Sequence, residues 1–240
     1  MRLDLFLYEH NFFPTREKAK EAVVGNIVEV NGKLCTKPGA NVSEDCKVVI
    51  VGEKLKYVSR AGLKLEHAQK EWNIDFSNKV VLDVGASTGG FTDFAILSGA
   101  KKVYAVDVGS NQLHNTLTNN PKVVNMEKTD FRNISPLPDE IDIAVCDCSF
   151  ISLKLLVPKF VEVLKPGKEL VVLIKPQFEC GKEIAKKYQG VIKDEKLQEN
   201  IRKNIINYFE NNSFYLINYC TSPILGTAGN KEFLAYFIKK

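Results

Sequence analysis

The sequence has few of the features that mark membrane, secreted or zinc-binding proteins. No apolar run approaches the roughly 18 residues that a membrane-spanning helix needs. The N-terminus, Met1-Arg2-Leu3-Asp4, lacks the apolar core of a secretory signal. The six cysteines form no C-x-x-C pair and have no histidine at a metal-binding spacing. We therefore expect no metal site, and thiols that stay reduced in a cytoplasm.

An excess of charge of one sign is also missing. The 33 Lys and Arg residues against 29 Asp and Glu residues give a net charge of +4, which does not by itself indicate a nucleic-acid partner. With 45% hydrophobic and 26% charged residues the composition is that of an ordinary globular protein. The 240 residues suffice for one large domain, or for a small domain and a medium one.

Residues 80–91 join a strand pattern to a small-residue loop and then to an apolar run. A strand, a glycine turn and a helix start place backbone N–H groups towards a ligand. The spacing Gly85-xxx-Gly89-Gly90 is neither that of dinucleotide-binding proteins nor that of phosphate loops, and no lysine follows the glycines. A strand-to-helix connection without a ligand is the alternative.

The chain after this loop alternates strand and helix patterns, which predicts a mostly parallel sheet with helices on both faces. The predicted strands are 80–84, 102–107, 123–126, 141–146, 169–174, 214–219 and 233–238, and the predicted helices lie near 60–71, 90–98, 110–118, 152–164 and 195–211. Ser59 is the predicted N-cap of the first of these helices. The fold class is thus α/β, with a doubly wound, seven-stranded, Rossmann-like domain. A flexible basic loop is expected over residues 181–190.

The first 52 residues predict a separate, small α+β module. A short amphipathic helix begins near Leu3, and Thr15 caps a second helix over residues 16–24. Two strand patterns, 27–30 and 46–50, follow, and Asn31-Gly32 is a hairpin signal. A linker is expected over residues 53–58, and the large domain over residues 59–240.

The N-terminal module resembles the RNA-binding domain of ribosomal protein S-four. The matching motifs are Arg2-Leu3-Asp4, Thr15-Arg16-x-x-Ala19, Val28-x-Val30-Asn31-Gly32 and Lys37-Pro38-Gly39. The resemblance implies RNA contacts by basic side chains: Arg2, Arg16, Lys18, Lys20, Lys37 and, in the next segment, Arg60. A solvated helix face would give a similar charge pattern.

The glycine loop resembles the first motif of S-adenosylmethionine methyltransferases. That resemblance implies a cofactor site in the large domain, formed by Asp83, Gly85, Ala86, Ser87, Thr88, Gly89, Gly90, Phe91, Asp107, Val108, Asp130, Phe131 and Asp147. Asp83 would face the methionine ammonium, Asp107 the ribose hydroxyls, and Asp130 the adenine amine.

Four residues, with Asp147 again among them, resemble the Lys-Asp-Lys-Glu tetrad of FtsJ-like 2′-O-methyltransferases: Lys64, Asp147, Lys175 and Glu232. The predicted strands end at Asp147 and Lys175, where side chains of this fold converge on a ligand. Lys175 is the expected proton acceptor or alkoxide stabiliser. Burial and Lys64 would lower its pKa, while Asp147 and Glu232 would raise it.

The whole chain, through the run Tyr57-Val58-Ser59-Arg60-x-Gly62-x-Lys64-Leu65, resembles the TlyA family of ribosomal-RNA 2′-O-methyltransferases. The Arg-x-Trp-Val linker of that family is replaced here by Leu55-Lys56-Tyr57-Val58. The resemblance, to the shorter members, implies methylation of a cytidine ribose in large-subunit rRNA of the assembled particle, by a cytoplasmic monomer. Such a mark would affect susceptibility to capreomycin.

Two other functions stay open at this point. Proteins of this family have been called haemolysins, although a membrane-active protein should show an apolar span or a basic amphipathic helix. The alternative within RNA biology is an RNA-binding protein whose methyltransferase domain is inactive. The complete tetrad argues against that second alternative.

Overall fold

The computed structural model describes residues 1–25, 27–50, 56–226 and 228–240. These residues form two compact units, Met1–Lys56 and Tyr57–Lys240. Residues 53–55 of the expected linker lie outside the described residues. Each unit has its own hydrophobic core, so each is described by itself.

The smaller unit consists of two helices and a three-stranded antiparallel sheet. Its elements are α1 (Leu3–Glu9), α2 (Arg16–Val24), β1 (Val28–Val30), β2 (Lys33–Leu34) and β3 (Val48–Ile50), with the sheet order β2-β1-β3. As predicted, Thr15 caps α2 by accepting a hydrogen bond from the backbone N–H of Lys18 (3.1 Å). Asn31 and Gly32 adopt positive φ angles and turn β1 into β2. The short strand β2 was not among the predicted strands.

The larger unit contains a seven-stranded sheet, β4 (Val80–Val84), β5 (Lys102–Val106), β6 (Val123–Met126), β7 (Ile143–Cys146), β8 (Glu169–Ile174), β9 (Phe214–Thr221) and β10 (Phe233–Lys239). The strand order is β6-β5-β4-β7-β8-β10-β9. The first five strands in this order are parallel, whereas β10 is antiparallel to both neighbours. This topology confirms the predicted doubly wound α/β fold.

The helices of the larger unit are α3 (Ala61–Trp72), α4 (Gly90–Leu97), α5 (Asn115–Thr118), α6 (Val157–Val163), α7 (Pro176–Glu179), α8 (Lys182–Lys187) and α9 (Glu195–Glu210). Residues of α3 and α4 pack on one face of the sheet, and residues of α6 and α9 pack on the other. Both faces are therefore buried, which explains the nearly continuous apolar runs of the central strands. The carboxyl ends of the parallel strands meet at one edge.

Three predicted elements differ from the structure because tertiary contacts replace local ones. The predicted helix 110–118 shortens to α5, since the N–H groups of Asn111, Gln112 and Leu113 bond to the Glu127 carboxylate instead. The predicted helix 152–164 is split into a 3₁₀ turn, Leu153–Leu155, and α6. The predicted loop 181–190 contains α8.

The predicted cap of α3 is also wrong. The N-cap position is occupied by Arg60, which is in helical conformation and whose side chain makes no cap bond to a described residue. The Ser59 carbonyl accepts the N–H of Gly62 (3.3 Å), so that Ser59 contributes its backbone to the first turn.

Candidate active site

Four ionisable side chains from distant parts of the larger unit lie together at the carboxyl edge of the sheet. Asp147 directly follows β7 and Lys175 directly follows β8. Lys64 lies on α3, and Glu232 immediately precedes β10. These are the four residues of the tetrad expected from the resemblance, and the fold brings all of them to one place.

The four side chains form an alternating row of charges. Lys175 Nζ lies 2.6 Å from Asp147 Oδ1. Lys64 Nζ lies 3.6 Å from Asp147 Oδ2 and 2.8 Å from Glu232 Oε2. The side chains of Lys64, Lys175 and Glu232 are buried. Buried charges are tolerated only when they are paired, and the alternation of two cations with two anions gives each charge a partner of opposite sign.

Two neighbouring polar side chains complete the row, and sequence reasoning did not single them out. Lys175 Nζ donates to Ser149 Oγ (2.8 Å) and to the carbonyl of Asp147 (3.3 Å). Gln177 Nε2 donates to Glu232 Oε1 (3.3 Å). Each lies two residues after a tetrad member, and that spacing could have identified them.

The pKa of Lys175 is raised above its ordinary value. Burial of the ammonium lowers this pKa, but the charge of Asp147 and its hydrogen bond raise it, and Glu232 adds to that effect. The nearby carboxylates therefore outweigh burial, and Lys175 is a cation at neutral pH.

The glycine loop between β4 and α4 has the backbone conformation that small residues allow. Gly85 and Gly89 have φ angles of +83° and +96°. A Cβ on Gly85 would lie 2.9 Å from Cys148 Sγ and 3.0 Å from Cys148 Cα, so the loop after β7 approaches the backbone of this glycine directly. The turn needs glycine here for both conformation and space.

Three acidic side chains lie near the loop in the sequence or the fold, and they differ in their contacts and burial. Asp107 accepts hydrogen bonds from the N–H groups of Ser87 (2.8 Å) and Gly109 (2.7 Å). Asp130 pairs with Arg132 (2.5 Å), which lowers the pKa of this carboxyl. Asp83 is completely buried.

Burial raises the pKa of Asp83 to about 7. One oxygen, Oδ2, accepts the hydroxyl of Thr92 (2.6 Å), whereas Oδ1 is buried with no hydrogen-bond partner among the described residues. An unpaired buried oxygen of this kind is costly, and Asp83 lies in β4 two residues before Gly85, the first glycine of the loop.

Two adjoining cavities lie at this edge. The larger, of about 490 Å³, contacts Asp107, Val108, Asp130 and Phe131, and its volume suits a ligand of nucleoside-cofactor size. The smaller, of about 160 Å³, contacts Ala86, Thr88, Phe91 and Lys175. Both are lined by Gly85, Ser87, Asp147 and Ser149.

Ten of the thirteen expected cofactor residues thus line one cavity or the other. Asp83, Gly89 and Gly90 line neither. A Cβ on Gly89 would meet Leu117, and one on Gly90 would meet Ser59, so these two glycines allow close packing of the loop. The residues present fit a nucleoside cofactor with a positively charged amino-acid end.

The expected RNA-binding side chains are divided between the two units. Arg2 and Arg16 both pair with the buried Asp4 carboxylate, each at 3.0 Å. The hydrogen bond from Arg2 contributes most to lowering the pKa of Asp4 to about 2. Lys18 pairs with Glu21 (3.0 Å), Lys20 is half-buried and Lys37 is exposed. Arg60 lies in the larger unit.

The sheet topology, the glycine loop and the strand-end acids define a doubly wound domain of the methyltransferase type. Residues 57–239 match the family described as FtsJ-like methyltransferase, and residues 1–45 match the S4 domain. The chain belongs to the FtsJ-like methyltransferase family, and its full-length relatives confirm the predicted TlyA resemblance.

The chain is 35% identical to the 23S rRNA (cytidine-2′-O)-methyltransferase TlyA of Campylobacter jejuni over 100% of both chains. It is 32% identical to the 16S/23S rRNA (cytidine-2′-O)-methyltransferase TlyA of Mycobacterium tuberculosis, over 98% of this chain and 88% of that protein. The solved structure of a protein from Streptococcus thermophilus, described as a "putative hemolysin", is 38% identical with a TM-score of 0.79, covering 100% of this chain and 88% of that one. In the described part of this chain, no helix has the length and apolar character to cross a membrane.

Proposed function

We propose that this protein methylates the 2′-hydroxyl of a cytidine in large-subunit ribosomal RNA, with S-adenosylmethionine as methyl donor. The observation that carries this proposal is the row Lys175–Asp147–Lys64–Glu232 beside the cofactor-sized cavity. The full-length likeness to the Campylobacter enzyme supports the choice of cytidine and of the large subunit.

The residues around the larger cavity fit the cofactor. The loop 85–91 would hold its amino-acid end, with Asp83 Oδ1 below, while Asp107 and Asp130 would hold the ribose and the adenine. When bound, S-adenosylmethionine supplies a methyl group on a sulfonium that is already a good leaving group. The protein must therefore align the ribose hydroxyl and remove its proton.

The charge state of Lys175 supports one of its two expected roles. Because its pKa is raised by the carboxylates around it, Lys175 holds its proton at neutral pH and is a poor proton acceptor. It is suited to stabilise negative charge that develops on the ribose oxygen. Asp147 orients both lysines, and Glu232 fixes Lys64.

The proposal assigns RNA binding to residues 1–52 and methyl transfer to residues 59–240, with residues 53–58 as the connection. The match of residues 1–45 to the S4 domain supports the first assignment. The reaction would take place in the cytoplasm, on the assembled subunit.

Methyl transfer from labelled S-adenosylmethionine to purified, unmethylated large and small ribosomal subunits tests the proposal. The labelled RNA is then hydrolysed in alkali, which leaves a 2′-O-methylated position as a resistant dinucleotide. We expect label in resistant dinucleotides from the large subunit. Lys175→Ala should abolish the label, whereas Lys101→Ala, at an exposed site, should not.

Other outcomes would change the proposal in different ways. Label that alkali releases as mononucleotides would show methylation of a base and overturn the reaction. Resistant label in both subunits would keep the reaction and overturn the restriction to the large subunit. If the protein binds S-adenosylmethionine but transfers no methyl group to either subunit, the proposed substrate is wrong.

A further inference from the structure

Gln112 is an exposed polar side chain that lines the larger cavity. It lies on the segment between β5 and α5 and contacts the cavity together with Asp107. Ser87 and Ser149 line both cavities, whereas Gln112 lines the larger of the two. Gln112 therefore belongs to the end of the site that fits the ribose and the adenine of the cofactor.

The backbone at Gln112 is fixed by a carboxylate from a neighbouring strand end. Glu127 accepts the N–H of Gln112 (2.7 Å) and the N–H groups of Asn111 (2.9 Å) and Leu113 (3.0 Å). Binding a ligand with a side chain costs conformational freedom. Because the backbone is already held by three hydrogen bonds, a contact made by Gln112 orders its side chain only.

The side-chain amide of Gln112 lies against Gly109, close to Asp107. A Cβ on Gly109 would lie 1.7 Å from Gln112 Nε2 and 3.1 Å from Asp107 Oδ1. The amide thus occupies the space that a side chain at position 109 would take. The amide and the carboxylate flank the same point of the backbone, so one small group in the cavity can contact both.

Asp107 can hold a ribose hydroxyl but cannot satisfy it completely. Its two carboxylate oxygens accept the N–H groups of Ser87 (2.8 Å) and Gly109 (2.7 Å), and each has a lone pair left for a ligand. An ionised carboxylate has no donor. A hydroxyl that donates to Asp107 therefore needs a separate donor for its own lone pairs.

Two other donors that line the larger cavity are already engaged. Arg132 Nε donates to Asp130 Oδ1 (3.0 Å), and Thr129 Oγ1 donates to the carbonyl of Glu127 (3.0 Å). The Gln112 amide makes no hydrogen bond to any residue that the structure describes. Its two N–H donors are therefore available to a ligand.

We propose that the Gln112 side-chain amide binds the cofactor, donating a hydrogen bond to a ribose hydroxyl while Asp107 accepts one from the same ribose. The pair then recognises two adjacent hydroxyls, with one side chain as donor and the other as acceptor. A site of this kind discriminates against a nucleoside that lacks one hydroxyl, because a polar group is left without its partner. This inference rests on the proposed use of S-adenosylmethionine.

The variants Gln112→Ala and Gln112→Glu test the amide as a donor. Titration calorimetry at neutral pH measures their affinity for S-adenosylhomocysteine, the product form of the cofactor. We expect Ala to weaken binding about 5-fold, as for the loss of one neutral hydrogen bond. Glu keeps the length of the side chain but replaces the donor by an acceptor, so it should bind at least as weakly as Ala. Asn200→Ala, which removes an exposed amide on α9, should bind as the unchanged protein does.

Deoxy analogues of the ligand separate a direct contact from a structural role. The same titrations use S-adenosylhomocysteine without its ribose 2′-hydroxyl and, separately, without its 3′-hydroxyl. For one of these analogues the effect of Gln112→Ala should disappear, because the partner of the amide has already been removed. If Gln112→Ala weakens all three ligands by the same factor, the amide does not contact the ribose and the proposal is wrong. Full affinity in Gln112→Glu would also overturn it, since shape rather than a donor would then suffice.

The failure of this inference and the failure of the proposed function give different results. If the unchanged protein binds S-adenosylhomocysteine and Gln112→Ala binds it equally well, only the role of Gln112 is overturned. If the unchanged protein binds neither S-adenosylmethionine nor S-adenosylhomocysteine, the proposed cofactor is wrong, and the role of Gln112 with it. Methyl transfer at saturating S-adenosylmethionine should be as fast in Gln112→Ala as in the unchanged protein.

Discussion

Burial decides the charge state of Asp83 more than any feature of its sequence neighbourhood. Its side chain is inaccessible to solvent and its pKa is raised to about 7 by that burial. In the unfolded chain the same group ionises near pH 3.8. Between these two values the folded protein binds a proton that the unfolded chain has lost, so this group makes folding less favourable as the pH rises.

Asp83→Asn should remove this dependence. An asparagine Oδ1 can still accept the Thr92 hydroxyl, and it cannot ionise. Relative to the variant, the unfolding free energy of the unchanged protein should fall by about 1.4 kcal/mol per pH unit between about pH 4 and pH 7, and then level off. Urea unfolding at pH 5, 6, 7 and 8, without cofactor, measures this difference.

The exposed Asp75 provides the matched control for this pH series. Asp75→Asn should follow the pH dependence of the unchanged protein. If the unfolding free energy of Asp83→Asn also changes with pH as that of the unchanged protein does, Asp83 is ionised in the folded state, contrary to the prediction.

At the scale of elements, Glu179 joins the two segments that carry Ser149 and Lys175. It ends helix α7, which begins directly after Lys175. Its carboxylate accepts the hydroxyl of Ser152 (2.5 Å) and the N–H of Leu153 (2.8 Å), at the start of the 3₁₀ turn that follows Ser149. Burial raises the pKa of this carboxyl. The contact thus fixes the loop after β7 against the helix after β8.

Glu179→Ala should loosen this contact and slow methyl transfer. It leaves two donors without an acceptor, at a cost of about 1–3 kcal/mol in unfolding free energy. The fall in rate follows because Ser149 and Lys175 lose their fixed separation. Denaturant unfolding and single-turnover transfer measure the two effects.

Two further variants serve as controls for that result. Glu183→Ala, on the exposed surface of α8, should change neither quantity. Glu179→Gln should recover part of both, because its amide oxygen can accept from Leu153 and its amide nitrogen can donate to Ser152. An effect of Glu179→Ala no larger than that of Glu183→Ala would contradict the role of this contact.

At the scale of the whole molecule, the basic side chains of the smaller unit differ in their contacts. Arg2 and Arg16 hold the buried Asp4 carboxylate, so replacing either would disturb the unit as well as its charge. Lys37 lies on an exposed segment between β2 and β3. It is therefore the better residue for a test of RNA contact that leaves the fold unchanged.

Lys37→Gln should weaken binding to large ribosomal subunits and make it less sensitive to salt. Removal of one lysine–phosphate interaction reduces the slope of log affinity against log salt by about 1. Filter binding between low and physiological salt measures this slope. Lys101→Gln, which removes an exposed charge in the larger unit, should leave the slope unchanged; an equal reduction would show that binding follows net charge alone.

The sequence by itself determined the elements whose signals are local. The bounds predicted for β4, β6, β8 and α2 agree with the structure, because apolar runs and a capping threonine act within a few residues. The family was also evident from motifs along the chain, and the comparisons confirm it. The four residues of the tetrad could be identified from their resemblance to a known motif before their positions in the fold were known.

Only the tertiary structure decided the matters that depend on groups far apart in the chain. Glu127 removes Asn111–Leu113 from the predicted helix by accepting their N–H groups. From the sequence, burial was expected to lower the pKa of Lys175 and nearby carboxylates to raise it. The pKa is raised because the buried ammonium lies 2.6 Å from the Asp147 carboxylate. The contact of Ser149 with Lys175 arises because β7 and β8 are adjacent. Electrostatic energies depend on distance and burial, which the fold alone sets.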